Sequence, residues 1–218
     1  MAVMGVFEPL ADLLLGACCP GCGAPGLGVC ADCLAAVRPA PRVILDGPPP
    51  VVACLPYRAP LTSLVTAHKD RGAGWLCDLL GSWLAPGLAA VVEAAGSCPA
   101  LVPLPSTPAA VRRRGADHVL DLLRAASVRC GLPREAVSPL LRRTRRVRDQ
   151  VEVSHQERSG NQAGSMSAVR GEGPVVVVDD IRTTGASLDE AVRALTASGH
   201  DVLAALVLAD AEHPRRWA

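Results

Sequence analysis

Apolar positions recur along the chain in two patterns. Residues 6–16 place Val6, Leu10, Leu13 and Leu14, with Ala17 just beyond, at the three-and-four spacing of one helical face, which predicts a short amphipathic helix. Four later runs, 51–57, 100–104, 174–179 and 202–208, are apolar at consecutive positions, as expected of strands covered on both faces. Between them Ala116, Val119, Leu120 and Leu123 predict one helical face, and Leu188, Ala191, Val192 and Leu195 another. Doubly buried strands separated by helices imply an α/β fold with a mainly parallel sheet and flanking helices. Ahead of them, residues 18–33 hold five of the nine cysteines among Gly and Pro, and residues 39–50 end in three consecutive prolines. The expected organisation is a small module over 1–47, a domain over 51–210 and a tail over 211–218.

Composition narrows the classes. Of 218 residues, 50% are hydrophobic and 20% charged, a balance that buries a core and excludes a disordered chain. Lys+Arg 22 against Asp+Glu 21 leaves a net charge of +1, so any binding of nucleic acid or anionic membrane must come from local patches. Lys69 is the one lysine; the other basic residues are arginines. Three Trp, one Tyr and one Phe are too few for a surface of stacked bases. Uninterrupted apolar runs fall short of the roughly 18 residues of a membrane span. The start carries Glu8 and Asp12 and lacks a basic n-region, which is wrong for a secretory signal and predicts a cytoplasmic protein. Cysteines there stay reduced, which directs attention to metal.

The most informative segment is 174–200. Four valines are followed by Asp179 and Asp180, and then Ile181-Arg182-Thr183-Thr184-Gly185-Ala186-Ser187 turns into a helical pattern. Ligands collect at the C-terminal edge of strands in open α/β sheets. A Thr-Thr-Gly turn at a helix N-terminus offers unpaired backbone N–H groups and hydroxyls, with no β-carbon at Gly to hinder a phosphate. Two adjacent carboxylates suit the vicinal hydroxyls of a ribose. The pattern differs from both the P-loop and G-x-G-x-x-G.

This string resembles the PRPP-binding motif of type I phosphoribosyltransferases, and residues 10–210 resemble the ComF family of phosphoribosyltransferase-like proteins. Leu101-Val102-Pro103-Leu104-Pro105 with Arg113, Arg114 and Gly115 is similar to that family's first strand and pyrophosphate loop. Lys69 and Gly72 match its Lys-Tyr-x-Gly element, with Asp70 at the Tyr. Gln150, Arg158 and Asn161 fall where the family carries Gln, Arg and Asn. The family's Arg-Gly-Phe-Asn-Gln stands here as Arg114-Gly115-Ala116-Asp117-His118. The resemblance implies PRPP held by Asp179, Asp180 and Thr183 to Ser187, with Mg2+ approached by Asp179. It also implies pyrophosphate contacts from Lys69, Arg113, Arg114, Arg146 and Arg158, and a mobile hood carrying Arg142, Arg143, Arg145, Arg146 and Arg148. His118 and His155 are candidate bases. The family name implies an alternative, an accessory of DNA uptake binding single-stranded DNA or a helicase partner; a PRPP-sensing regulator is a third reading.

Cys19-Pro-Gly-Cys22 and Cys30-Ala-Asp-Cys33 are two C-x2-C knuckles separated by seven residues, a set that fits the closed shell of a structural Zn2+, with an iron–sulfur centre or unligated thiols as the other readings. Cys18 is an adjacent spare. Cys54, Cys77, Cys98 and Cys130 lie among apolar neighbours and are expected in the core.

Overall fold

The computed structural model describes residues 17–144, 164–212 and 217. The helix expected over 6–16 lies outside these residues, as do Arg145, Arg146, Arg148, Gln150, His155, Arg158 and Asn161.

After the cysteine loops come α1 (Ala31–Ala36), β1 (Arg42–Leu45), β2 (Val51–Pro56), α2 (Leu61–Asp70), α3 (Cys77–Ala95) and β3 (Ala100–Pro103). There follow α4 (Pro108–Arg114), α5 (His118–Arg129), β4 (Leu141–Arg143), β5 (Met166–Ala168), β6 (Gly173–Arg182), α6 (Ala186–Thr196) and β7 (His200–Asp210). The main sheet has the order β1-β2-β7-β6-β3; β2, β7, β6 and β3 are parallel, and β1 closes one edge antiparallel to β2. The expected α/β class with a mainly parallel sheet and flanking helices is the one observed.

Each strand run is buried on both faces because helices cover both. Val176, Val178, Leu206 and Leu208 face a core shared with α2, α3 and α5. Val175, Val177, Ala205 and Val207 face one shared with Leu188, Ala191, Ala194 and Leu195 of α6 and with the β4–β5 ribbon. Helices leaving the neighbouring strands β3 and β6 thus pack on opposite faces, which opens a crevice at the C-terminal edge between them.

Five sequence expectations change. The stretch 39–50, read as a boundary, supplies β1, whose Arg42 and Val43 pair with Ala53 and Val52. Strand β6 runs on to Arg182, paired with Asp210, so the acid pair lies inside the strand. Ala116 is exposed ahead of α5, and the buried face of that helix is Val119, Leu122, Leu123 and Ala126. Cys98 is exposed in the turn between α3 and β3; Cys54 is buried, and Cys77 and Cys130 are half-buried. The segment Gly74–Ala95 has a mean hydropathy of 1.5 and, by length and composition, is apolar enough to cross a membrane. Here it seats on the sheet, burying Leu80, Trp83, Leu84 and Leu88 in the core.

Candidate active site and cysteine cluster

The crevice at the strand ends holds a cavity of about 520 Å3. Strand β6 brings Asp179 and Asp180 to it, and the turn into α6 brings Thr183 and Ser187. Gly185 caps α6 with φ +82°, a left-handed conformation that a side chain would strain. Directly behind it, the guanidinium nitrogens Nε and Nη2 of Arg182 lie 3.2 Å from where a β-carbon would stand. Arg182 is itself buried in an ion pair with Asp210 at 3.1 Å and Glu212 at 2.6 Å, so the turn rests on a fixed floor. Thr184 Oγ1 accepts from the Ala186 N–H at 3.4 Å.

The opposite wall comes from α2, α4 and α5. Lys69 Nζ reaches Asp180 Oδ2 at 2.5 Å, and His118 Nε2 lies 3.0 Å from the same oxygen. Arg114 Nη1 donates to His118 Nδ1 at 3.1 Å. A guanidinium has no acceptor, so this contact assigns the ring proton to Nε2, the nitrogen that faces Asp180. Ser106 Oγ donates to Asp117 Oδ1 at 3.0 Å, fixing the loop after β3 against the start of α5. Arg113 and Arg143 complete the cationic side; Arg143 Nε donates to the Pro105 carbonyl at 2.9 Å.

Two adjacent carboxyls thus have opposite electrostatics. At Asp180 burial opposes ionisation, but the His118 hydrogen bond and the Lys69 charge override it and hold the group well below the usual carboxylate range. At Asp179 burial and then the charge of Asp180 push the carboxyl well above that range. Asp179 is therefore the weaker acid of the pair, and a cation brought beside it would favour its ionised form.

The cavity joins Lys69, Arg113, Arg114, Asp179, Asp180, Thr183 and Ser187 of the residues predicted from sequence, with Thr184, Gly185 and Ala186 in the same turn. Arg146 and Arg158 lie outside the described residues. Tyr57, Ser106 and Thr107 were not anticipated. Thr107 announces itself only as a helix cap: its Oγ1 accepts from the Ala110 N–H at 3.2 Å, with Pro108 at the first helical position.

At the other end of α2, the sulfurs of Cys19, Cys22, Cys30 and Cys33 all lie within 4.8 Å of one another, and those of Cys22 and Cys30 are 3.6 Å apart. Four thiolates around a metal at about 2.3 Å stand about 3.8 Å apart, so the group can hold a metal ion. Burial alone would push the Cys19 thiol up, but backbone N–H groups of Cys30, Cys22 and Gly21 bring it down to about 6. Gly21 is required by space: a β-carbon there would lie 2.8 Å from Cys33 Sγ and 3.2 Å from Pro60 Cβ.

No protein-family model matches the chain. Over 57 residues, 25% of this chain, the sequence is 46% identical to the orotate phosphoribosyltransferase of Aeropyrum pernix (strain ATCC 700893 / DSM 11879 / JCM 9820 / NBRC 100138 / K1). The match spans 30% of that relative's length. The crystal structure of orotate phosphoribosyltransferase from Aeropyrum pernix aligns over 81% of this chain and 76% of that one, with 20% identity and a TM-score of 0.34.

Proposed function

We propose that the chain is a ComF-like phosphoribosyltransferase that binds PRPP in the 520 Å3 cavity and transfers its 5-phosphoribosyl group to an acceptor. One observation carries this reading: two adjacent carboxyls, Asp179 and Asp180, line a cavity between the Thr183–Ser187 turn and a wall of arginines. The N–H groups opening α6 and the hydroxyls of Thr183 and Ser187 take the 5-phosphate. Asp179 faces the ribose hydroxyls, while Asp180, already engaged by Lys69 and His118, orients those two side chains. The local identity to an orotate phosphoribosyltransferase supports the same class.

Arg113, Arg114 and Arg143 suit the pyrophosphate, since planar guanidinium groups grip phosphate oxygens in pairs. The residues fit Mg2+ carried on the pyrophosphate: Asp179 is the carboxylate positioned to hold its hydration shell. When bound, that cation neutralises charge on the leaving group. As the acceptor's nucleophile bonds to C1 of the ribose, the C1–O bond breaks and pyrophosphate departs with the electron pair. The cysteine cluster is read as a structural Zn2+ site.

Calorimetric titration of PRPP in Mg2+ tests the reading. Binding is expected in the wild type and lost in the Asp179→Asn, Asp180→Asn double variant. A wild type that takes up no heat with PRPP overturns it. Pyrophosphate release on adding acceptors separates an enzyme from a sensor that binds without turnover.

A further inference from the structure

The four cysteines of the cluster differ in their access to solvent. Cys19 and Cys33 are buried, at 2% and 4% exposure, and Cys19 Sγ also accepts from the Cys30 N–H at 3.4 Å. Cys22 is exposed and Cys30 half-buried, and their sulfurs stand 3.6 Å apart. Each C-x2-C knuckle thus pairs one shielded sulfur with one accessible sulfur. The two that an oxidant can reach belong to different knuckles, and the loop over 23–29 folds them together.

Coordination keeps all four sulfurs deprotonated, and the thiolate is the form that peroxides oxidise. Zn2+ has no redox chemistry of its own, so any electrons given up here come from sulfur.

We propose that Cys22 and Cys30 are an oxidation site, at which a hydroperoxide converts the pair to a disulfide and expels the metal. The proposal rests on the metal reading of the cluster and is independent of the phosphoribosyl reading. With hydrogen peroxide, the Cys22 thiolate attacks one oxygen, the O–O bond breaks, and Cys22 becomes a sulfenic acid as hydroxide leaves with the electron pair. The Cys30 thiolate then attacks Cys22 Sγ and displaces a second hydroxide. Two thiolates have lost two electrons, and the peroxide has gained them. From 3.6 Å the sulfurs close by about 1.5 Å to bond. Pairing within a knuckle, Cys19 with Cys22 or Cys30 with Cys33, would instead draw a shielded sulfur out of its packing. Once the disulfide forms, only the thiolates of Cys19 and Cys33 remain, half of the closed shell, and the ion departs.

Native mass spectrometry of the full chain after Zn2+ loading first gives its metal content; a chain that holds no metal overturns the metal reading and this proposal with it. The loaded chain is then titrated with hydrogen peroxide while a chromogenic chelator reports released metal. Free thiols are alkylated with a light reagent before reduction, and disulfide thiols with a heavy one after it. The first Lys or Arg in the chain is Arg38, so trypsin leaves the five cysteines of the module on one peptide, and fragmentation assigns a label to each. Heavy label is expected on Cys22 and Cys30 and light label on Cys19 and Cys33, with one ion released per disulfide. Dithiothreitol and Zn2+ should restore the starting state. Cys18→Ser removes the exposed neighbouring thiol and should release metal at the wild-type rate; release slowed tenfold or more would make Cys18 a bonding partner and overturn the pairing. Heavy label on Cys19 or Cys33 also overturns it, as does full metal retention at a peroxide dose that oxidises the exposed Cys98.

Discussion

Asp179 and Asp180 are identical in type and adjacent in sequence, yet the fold shifts their acidities in opposite directions. Asp180 has a depressed folded value, so its stability contribution is present above the ordinary carboxylate value and is lost as pH falls toward the folded one. Asp180→Asn leaves Lys69 and His118 without their anion. A drop of about 2 kcal/mol is expected in denaturant unfolding at pH 7, less than for a fully buried pair because Lys69 keeps some solvent contact. Asp179 has a raised folded value. Its contribution is complete below the ordinary carboxylate value and fades as pH rises through the folded one, so the ionised group is a liability at high pH. Asp179→Asn should raise Tm, most at the alkaline end, while PRPP binding falls; a lower Tm at every pH would contradict this assignment. The acid pair itself was legible in the sequence from its place after four valines. The division of labour was not, because it depends on Lys69 and His118, which two distant helices bring to a single oxygen.

At the scale of elements, what was legible followed from covering. Strands with helices on both faces read as unbroken apolar runs, and all four were found. Helix α3 was missed for the same reason: it packs against α5 on one side and the sheet on another, so its apolar face is too broad to show a clean 3.6-residue period. β1 was hidden by the prolines around it. Two glycines let α3 approach so closely. A β-carbon at Gly81 would stand 2.6 Å from that of Ala125 on α5, and one at Gly87 would collide with Cys54 Sγ and lie 2.8 Å from Leu206 Cδ1. Gly87→Val should therefore lift the helix off the sheet and cost about 2–3 kcal/mol, read as a lower midpoint in urea. On the other face Glu190 ties α6 to the ribbon, accepting from the Met166 N–H at 2.9 Å and from Arg193 Nε at 2.7 Å. The Arg193 hydrogen bond, against burial, brings its carboxyl down to about 2. That tie is present above the ordinary Glu value and is lost as pH falls from there toward 2, and Glu190→Gln should flatten the acid limb of the stability curve over that range.

At the scale of the whole molecule, α2 links the two chemically distinctive regions. Its first turn lies against the cysteine cluster, where Pro60 caps the helix and its Cβ stands 3.2 Å from the β-carbon position of Gly21. Its last turn carries Lys69 to Asp180. A metal that closes the four-cysteine shell would clamp one end of a rigid helix whose other end sets the charge at the active site. Between those ends Leu61, Leu64, Val65 and Ala67 are buried in the core, so the helix should remain folded when the clamp is lost and shift rather than melt. Cys22→Ser tests this without a chelator, which would also remove Mg2+. The variant should lose bound metal by mass spectrometry, retain its helical circular dichroism, unfold at a lower Tm, and bind PRPP about fivefold more weakly, at the low end of coupling between sites. Metal loss with unchanged PRPP affinity would show that the core contacts of α2 alone fix Lys69, and that the cysteine module stabilises the fold without reaching the site.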